Sequence, residues 1–301
     1  MRTMRTKNIF HFRTGMLLFL VLFFSLCSAF AWADEIIDPG NFLIGLLSPP
    51  SATGGVTLQT RPDEGLLETA YAGGETLRYT VSWLGIPAGE LVMQVSRITE
   101  SSETFALEIT ARSAGLLAVF YPVEDHFRTV VQGKMRLPTR HEMQQKEGRR
   151  VNRRLTLYDQ ERFRVSYSKN DEPQEIYQVE GPMQNEISSF FFMRTLLFDG
   201  KGPMIVPTFA DKKRHEVVVA MEGREEQQSV LGRKKTIKLR PRLKFKGLYE
   251  KMGDPFVWLT DDGWRIPTRI QAKIVIGALT AELVEYSGPA GNFTLSGTPK
   301  E

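Results

Sequence analysis

Cysteine is almost missing from this chain: Cys27 is the single one among 301 residues. That excludes a disulfide framework and any thiol pair for redox chemistry. Histidine is scarce too, with four residues, and His141 and His215 stand isolated, without a second ligand at zinc spacing. No metal and no cofactor are expected. Neither a phosphate-binding glycine loop nor a Gly-x-Ser-x-Gly elbow occurs, so no motif spells out a reaction. Long apolar runs are also wanting. Met16–Leu26 and Phe42–Leu47 both fall short of the ~20 residues needed to cross a bilayer.

What is present begins with an address. Arg2, Arg5, Lys7 and Arg13 precede the apolar run Met16–Leu26, and Ala31-Trp32-Ala33 places small residues at the cleavage positions, so residues 1–33 read as an exported protein's signal peptide. The expected location is the periplasm. Lipid attachment at Cys27 is disfavoured by the large Leu26 before it. Losing the four basic residues from 39 leaves 35, equal to the 35 acidic ones. The mature chain is then neutral, thiol-free and without a transmembrane span, and the basic character of the whole chain gives no warrant for nucleic-acid binding.

Residues 34–74 read as a largely irregular linker, punctuated by Pro39-Gly40, Pro49-Pro50, Gly54-Gly55 and Gly73-Gly74. A period of two then takes over. Leu77, Tyr79, Val81 and Trp83 alternate with polar residues, Gly85–Gly89 reads as a turn, and Leu91-Met93-Val95 resumes the pattern. Phe105–Ala111, Phe127–Val131, Arg140–Lys146, Val151–Tyr158, Phe163–Tyr167, Val217–Met221 and Ile266–Ile276 read the same way. The expected fold is mostly β: a large curved antiparallel sheet, half-barrel or open barrel, over residues 75–287. Residues 288–301 are expected to form a flexible tail.

One segment breaks this rhythm. Ile187, Phe190, Phe191, Arg194, Leu197 and Phe198 fall at helical spacing, with Asn185 placed to cap the start and Gly200 the end. A single helix, apolar around much of its girth, belongs against the concave side of the sheet. Arg194 lies within its apolar stripe. Guanidinium stays charged, so Arg194 needs either an acidic partner from the sheet or the anionic end of a ligand.

Other polar clusters are weighed by face. Lys238, Arg240, Arg242, Lys244 and Lys246 share one parity, with Pro241 as a possible break and Arg265, Arg269 and Lys273 as a possible extension. Such a row reads either as a solvated edge or as an anion-binding face. Arg149, Arg150, Arg153 and Arg154 read as exposed turn residues. Of Glu124, Asp125 and His126, only the first and third share a face. Asp261 and Asp262 precede Gly263 and read as turn formers.

Several of these landmarks resemble one family. Tyr79-Thr80-Val81-Ser82-Trp83 with Gly85-Ile86-Pro87-Ala88-Gly89, the Asn185–Arg194 helix, and Trp258-Leu259-Thr260-Asp261-Asp262 with Arg265-Ile266-Pro267 and Ile276-Gly277 resemble the bacterial exported family known as domain of unknown function 3108. Asn185 stands where that family often carries an acid. The resemblance implies a periplasmic, mostly-β protein and brings no catalytic residue with it.

The functional expectation is a non-enzymatic protein of envelope biogenesis that binds an amphipathic or anionic ligand such as a lipid. Trp83, Phe190, Phe191 and Trp258 would line its pocket, with Arg194 or the basic row at the anionic end. Lipopolysaccharide and acidic glycans are further candidate partners. An interaction module docking on an envelope protein is the alternative, and a glycan hydrolase using Asp261 and Asp262 the weaker one.

Overall fold

The computed structural model describes residues 60–99, 103–200, 202–210, 212–243, 255–273 and 277–295. The signal peptide, Cys27, Phe42–Leu47, Lys244, Lys246, Ile274 and Ile276 lie outside the described residues. Strand β1 (Glu75–Trp83) turns tightly through Leu84 and Gly85, both at positive φ, into β2 (Ile86–Arg97). The turn is thus two residues long, and Ile86–Gly89 belong to the strand, because a two-residue turn of this hand matches the twist of the flanking strands. Helix α1 (Glu64–Ala70) precedes β1, and β3 (Thr104–Ser113) and helix α2 (Gly115–Phe120) follow β2. The meander continues through β4 (Val123–Gln132), β5 (Leu137–Glu147), β6 (Arg150–Asp159), β7 (Arg164–Lys169) and β8 (Glu175–Gln178).

A second meander runs the other way. Short β9 (Gln184–Asn185) leads into helix α3 (Glu186–Met193), and then come β10 (Met204–Ala210), β11 (Lys213–Ser229), β12 (Gly232–Leu243), β13 (Phe256–Thr260), β14 (Pro267–Lys273), β15 (Ala278–Gly288) and β16 (Gly291–Thr294). The two halves join where β1 pairs antiparallel with β15, Tyr79 opposite Leu283. The result is one large open, curved sheet in the order β8 to β1, then β15 down to β9.

Alternation builds its core. Leu77, Tyr79 and Val81 of β1, Leu91, Met93 and Val95 of β2, and Leu107 and Ile109 of β3 are all buried and face α3, whose Ile187, Phe191 and Phe192 are buried in turn. Across the gap between the two sheet ends, side chains replace the hydrogen-bond ladder. Phe209 of β10 packs edge-on against Tyr158 and tilted against Tyr177, with centroids 6.1 and 5.9 Å apart. Lys212 pairs with Glu175 at 2.6 Å across the same seam.

Three expectations change here. The end of the presumed linker is ordered: Asp63 caps α1 by accepting from Leu66 N at 2.9 Å, and Leu66, Leu67 and Ala70 are buried. Part of the presumed tail is a strand, β16, which sets Phe293 opposite Tyr286. Pro241 does not break β12. It pairs with Val219 on one side, while the β13 ladder on the other side spans only Thr236–Leu239. Proline lacks only the N–H that such an unpaired edge does not use.

Candidate functional site

The inner face of the sheet changes character along its width. One register row runs from Val95 to Leu107, then to Thr129, His141, Thr156 and Tyr167. Its first two members are apolar and the next three polar, and all are buried. Asp125, Gln145 and Arg154 face the same way on β4, β5 and β6, and are buried as well. The N terminus of α3 meets this polar region.

Asn185 organises the meeting. Its side-chain Oδ1 accepts from Ser188 N at 2.7 Å while its backbone N–H donates to Ser188 Oγ at 2.8 Å, a reciprocal cap. Its amide nitrogen donates to Thr129 Oγ1 at 3.2 Å, and Thr129 Oγ1 lies 2.8 Å from His141 Nδ1. A hydroxyl that accepts from Asn185 has its proton free for Nδ1. His141 is thereby assigned the tautomer with hydrogen on Nε2, an atom without a partner among the described residues. Burial pushes its pKa down to about 4, so the ring is neutral. Among the described residues, Oδ2 of Asp125, Oε1 of Gln145 and Oε1 of Gln184 are likewise buried without a hydrogen-bond partner of good geometry, the Gln145 side chain lying beside the Asp125 carboxyl. Burial first, and the nearby Glu147 charge second, raise Asp125 to about 7. This region therefore offers both donors and acceptors, and Asp125 changes role near neutrality.

It is not a nucleophile–base pair. The rows of His141 and Asp125 are separated by the Phe127–Met143 row, and the nearby Glu186 is held by Arg154 at 3.4 Å. Arg154 is thus an interior residue and not an exposed turn arginine, because it shares the inward parity of Thr156 and Tyr158.

The other expected site residues separate. Arg194 is fully buried, and its guanidinium grips Glu75 of β1 with two hydrogen bonds, 2.6 and 2.8 Å, while donating to the carbonyls of Arg265 and Trp264 at 3.0 and 3.2 Å. The acidic partner from the sheet, not a ligand, occupies its fork. Phe190 and Phe191 stack edge-to-face at 5.6 Å on α3, and Trp83 is half-buried against the same core. Trp258 does not join them. Strand alternation sends Val257 and Leu259 into the core and Trp258 to the opposite face, where Lys238 lies 5.0 Å and Arg269 5.7 Å from its ring. Glu225 Oε1 accepts from its indole N–H at 2.5 Å.

Nor does the basic row form a bare cationic face. Lys238 lies over Phe256 and Trp258, Arg240 pairs with Glu222 at 2.6 Å, and Arg269 pairs with Glu282 at 2.8 Å. Arg265 turns inward to Asp261. Arg242 is exposed. Asp262 accepts from Thr260 Oγ1 and from the backbone of Trp264 and Arg265, and Asp261 pairs with Arg224 and Arg265. Both aspartates serve the β13–β14 turn. No cluster of three or more metal-ligating side chains occurs among the described residues, and no described helix is long and apolar enough to cross a membrane.

What the sequence missed is the inner polar region, since His141 stands alone in the chain and gains Thr129 and Asn185 only through pairing and docking. The one available signal was parity: His141, Met143 and Gln145 share the inward phase of β5.

Comparison with known proteins places this architecture. A search of curated proteins found no match. Among solved structures, the crystal structure of a beta-barrel-like protein of domain of unknown function DUF1849 from Brucella abortus aligns with a TM-score of 0.50. The identity is 9%, and the alignment covers 71% of this chain and 96% of that one. At such identity the likeness is one of fold. The family model for a protein of unknown function, DUF3108, matches residues 78–284. That stretch runs from within β1 to within β15 and takes in α3 with most of the inner face, and the chain belongs to the DUF3108 family.

Proposed function

We propose that this protein is a non-enzymatic binding protein of the cell envelope, holding an amphipathic or anionic ligand such as a lipid against the inner face of its curved sheet. One observation carries the reading: the passage of that face from apolar to polar within a single register row, beside buried side-chain atoms that have no partner among the described residues. A buried polar group without a partner costs about 1–3 kcal/mol, so a guest that pairs several of them gains affinity where an apolar body alone does not. In this reading the apolar part of the ligand lies beside Phe190 and Phe191, and its polar end meets His141 Nε2 and Asp125. Arg194 and Trp258 take no part, because Glu75 holds the first and the second faces outward. The aromatic seam between β8 and β10 is the natural entrance, since side-chain contacts open more readily than a ladder. The expected export signal favours an envelope role.

Native mass spectrometry of protein purified from a bacterial host tests this. A co-purifying amphipathic species, extracted by organic solvent and reduced in the His141→Leu variant, is the expected result. Protein that carries no such species and binds no fluorescent acyl probe rejects the reading.

A further inference from the structure

Six of the eleven most exposed large apolar side chains among the described residues gather at one end of the sheet. Register defines that end. Trp83 pairs with Ile86, Gly89 with Ser113, and Gly148 N donates to Pro122 O at 2.8 Å, so the β1–β2 turn, α2 and the β5–β6 turn sit side by side. Within α2, Leu117 and the following Tyr121 pack on Val123. Leu116, Val119 and Phe120, spaced as one helical face, point away at 74%, 76% and 75% exposure. Leu84 and Ile86 (59% and 60% exposed) flank them on one side and Val151 on the other. Monomers rarely leave such a patch facing water.

Cations surround it. Arg149 and Arg150 are exposed on the β5–β6 turn beside Tyr121. Arg242 and Lys273, also exposed, end β12 and β14 at the same rim. Of the nearby acids, Glu147 stands opposite Arg150 in register, and Glu124 is matched by Lys146 and Arg112 at 3.0 and 3.3 Å. Apolar tips ringed by basic residues are complementary to an anionic lipid surface: the tips enter the acyl boundary while the guanidinium groups stay among the headgroups. A symmetric contact between two copies would instead bring the arginines of each against those of the other, which like-charge repulsion opposes.

We infer that this rim is a membrane-contacting surface, resting on anionic lipid with the outer face of α2 inserted. The contact is separate from any ligand on the inner face and holds whether or not that face binds one. In full-length C27S protein, an environment-sensitive fluorophore is attached at V119C or, at the opposite end of the sheet, at E161C. Vesicles of phosphatidylcholine with about 30% phosphatidylglycerol should raise and blue-shift emission at position 119 but not at 161, and pure phosphatidylcholine should do so far less. Reversing both arginines, R149E with R150E, should lower partitioning at least tenfold. An unchanged signal at 119, an equal change at 161, or wild-type partitioning of the reversed variant overturns the inference. So does a signal at 119 that rises with protein concentration alone and tracks a dimer in sedimentation, which assigns the rim to a second copy.

Discussion

Glu75 and Arg194 meet across 119 residues of sequence, joining the first strand of the sheet to the end of its inner helix through two hydrogen bonds of 2.6 and 2.8 Å. Both side chains are buried. The arginine also takes the carbonyls of Trp264 and Arg265 from the β13–β14 turn. One residue thus ties together three parts of the chain whose register nothing local sets.

Removing one partner strands a buried charge. Arg194→Met and Glu75→Gln should each destabilise the fold by about 3–5 kcal/mol in urea unfolding. The double variant R194M/E75Q should lose less than the sum of the single losses, because it removes both charges at once. Strict additivity would mean that the pair does not couple.

Stability should follow two opposed titrations. His141 is depressed from 6.5 to about 4, so its contribution is present above the ordinary value and is lost as pH falls through that window. Asp125 is raised from 3.8 to about 7, so its contribution is present at low pH and is lost as pH rises towards neutrality. Asp125→Asn should therefore be more stable than wild type above neutrality, by a few kcal/mol, with the gap closing towards pH ~4. A gap that does not change with pH would refute this account of Asp125.

Gly89 leaves room for a carbonyl. A Cβ built there would sit 2.4 Å from Arg112 O of the neighbouring strand. Gly89→Ala must push β3 away from β2, at a cost of about 1–3 kcal/mol by denaturation, with faster amide exchange at Arg112 and Ser113. Wild-type exchange there would show that the strands had not moved.

The seam is a matter of side chains alone. Phe209→Ala removes the ring shared by Tyr158 and Tyr177 and should cost about 3–5 kcal/mol. Exchange should quicken first in β8 and β10. Loss spread evenly over the sheet would mean that the seam does not open independently.

The strands were legible because each buries one face. Leu77 to Trp83 shows the alternation that β1 adopts, and the stripe from Ile187 marks α3 with Asn185 at its cap. Length was less legible: the helix stops at Met193, where the pattern continues to Phe198, and Arg194, still at helical φ and ψ, passes into tighter turns in which Thr195 N and Leu196 N donate to Phe192 O and Met193 O. Of the four aromatic residues expected together, Trp83, Phe190 and Phe191 share one core and Trp258 takes the other face, since composition shows aromatic rings but not which side of a strand they take.

Sequence by itself determined the mostly-β fold class, many of the strands of a large antiparallel sheet and the apolar helix α3, because periodicity is a local property of the chain. Only the tertiary structure decided that Arg194 belongs to Glu75 and that Trp258 is buried on the opposite face of the sheet between Lys238 and Arg269. It also decided that His141, Thr129 and Asn185 form one network. Those relations depend on the register of strands far apart in sequence and on the docking of the helix, and a one-residue shift of register would send every such side chain to the other face.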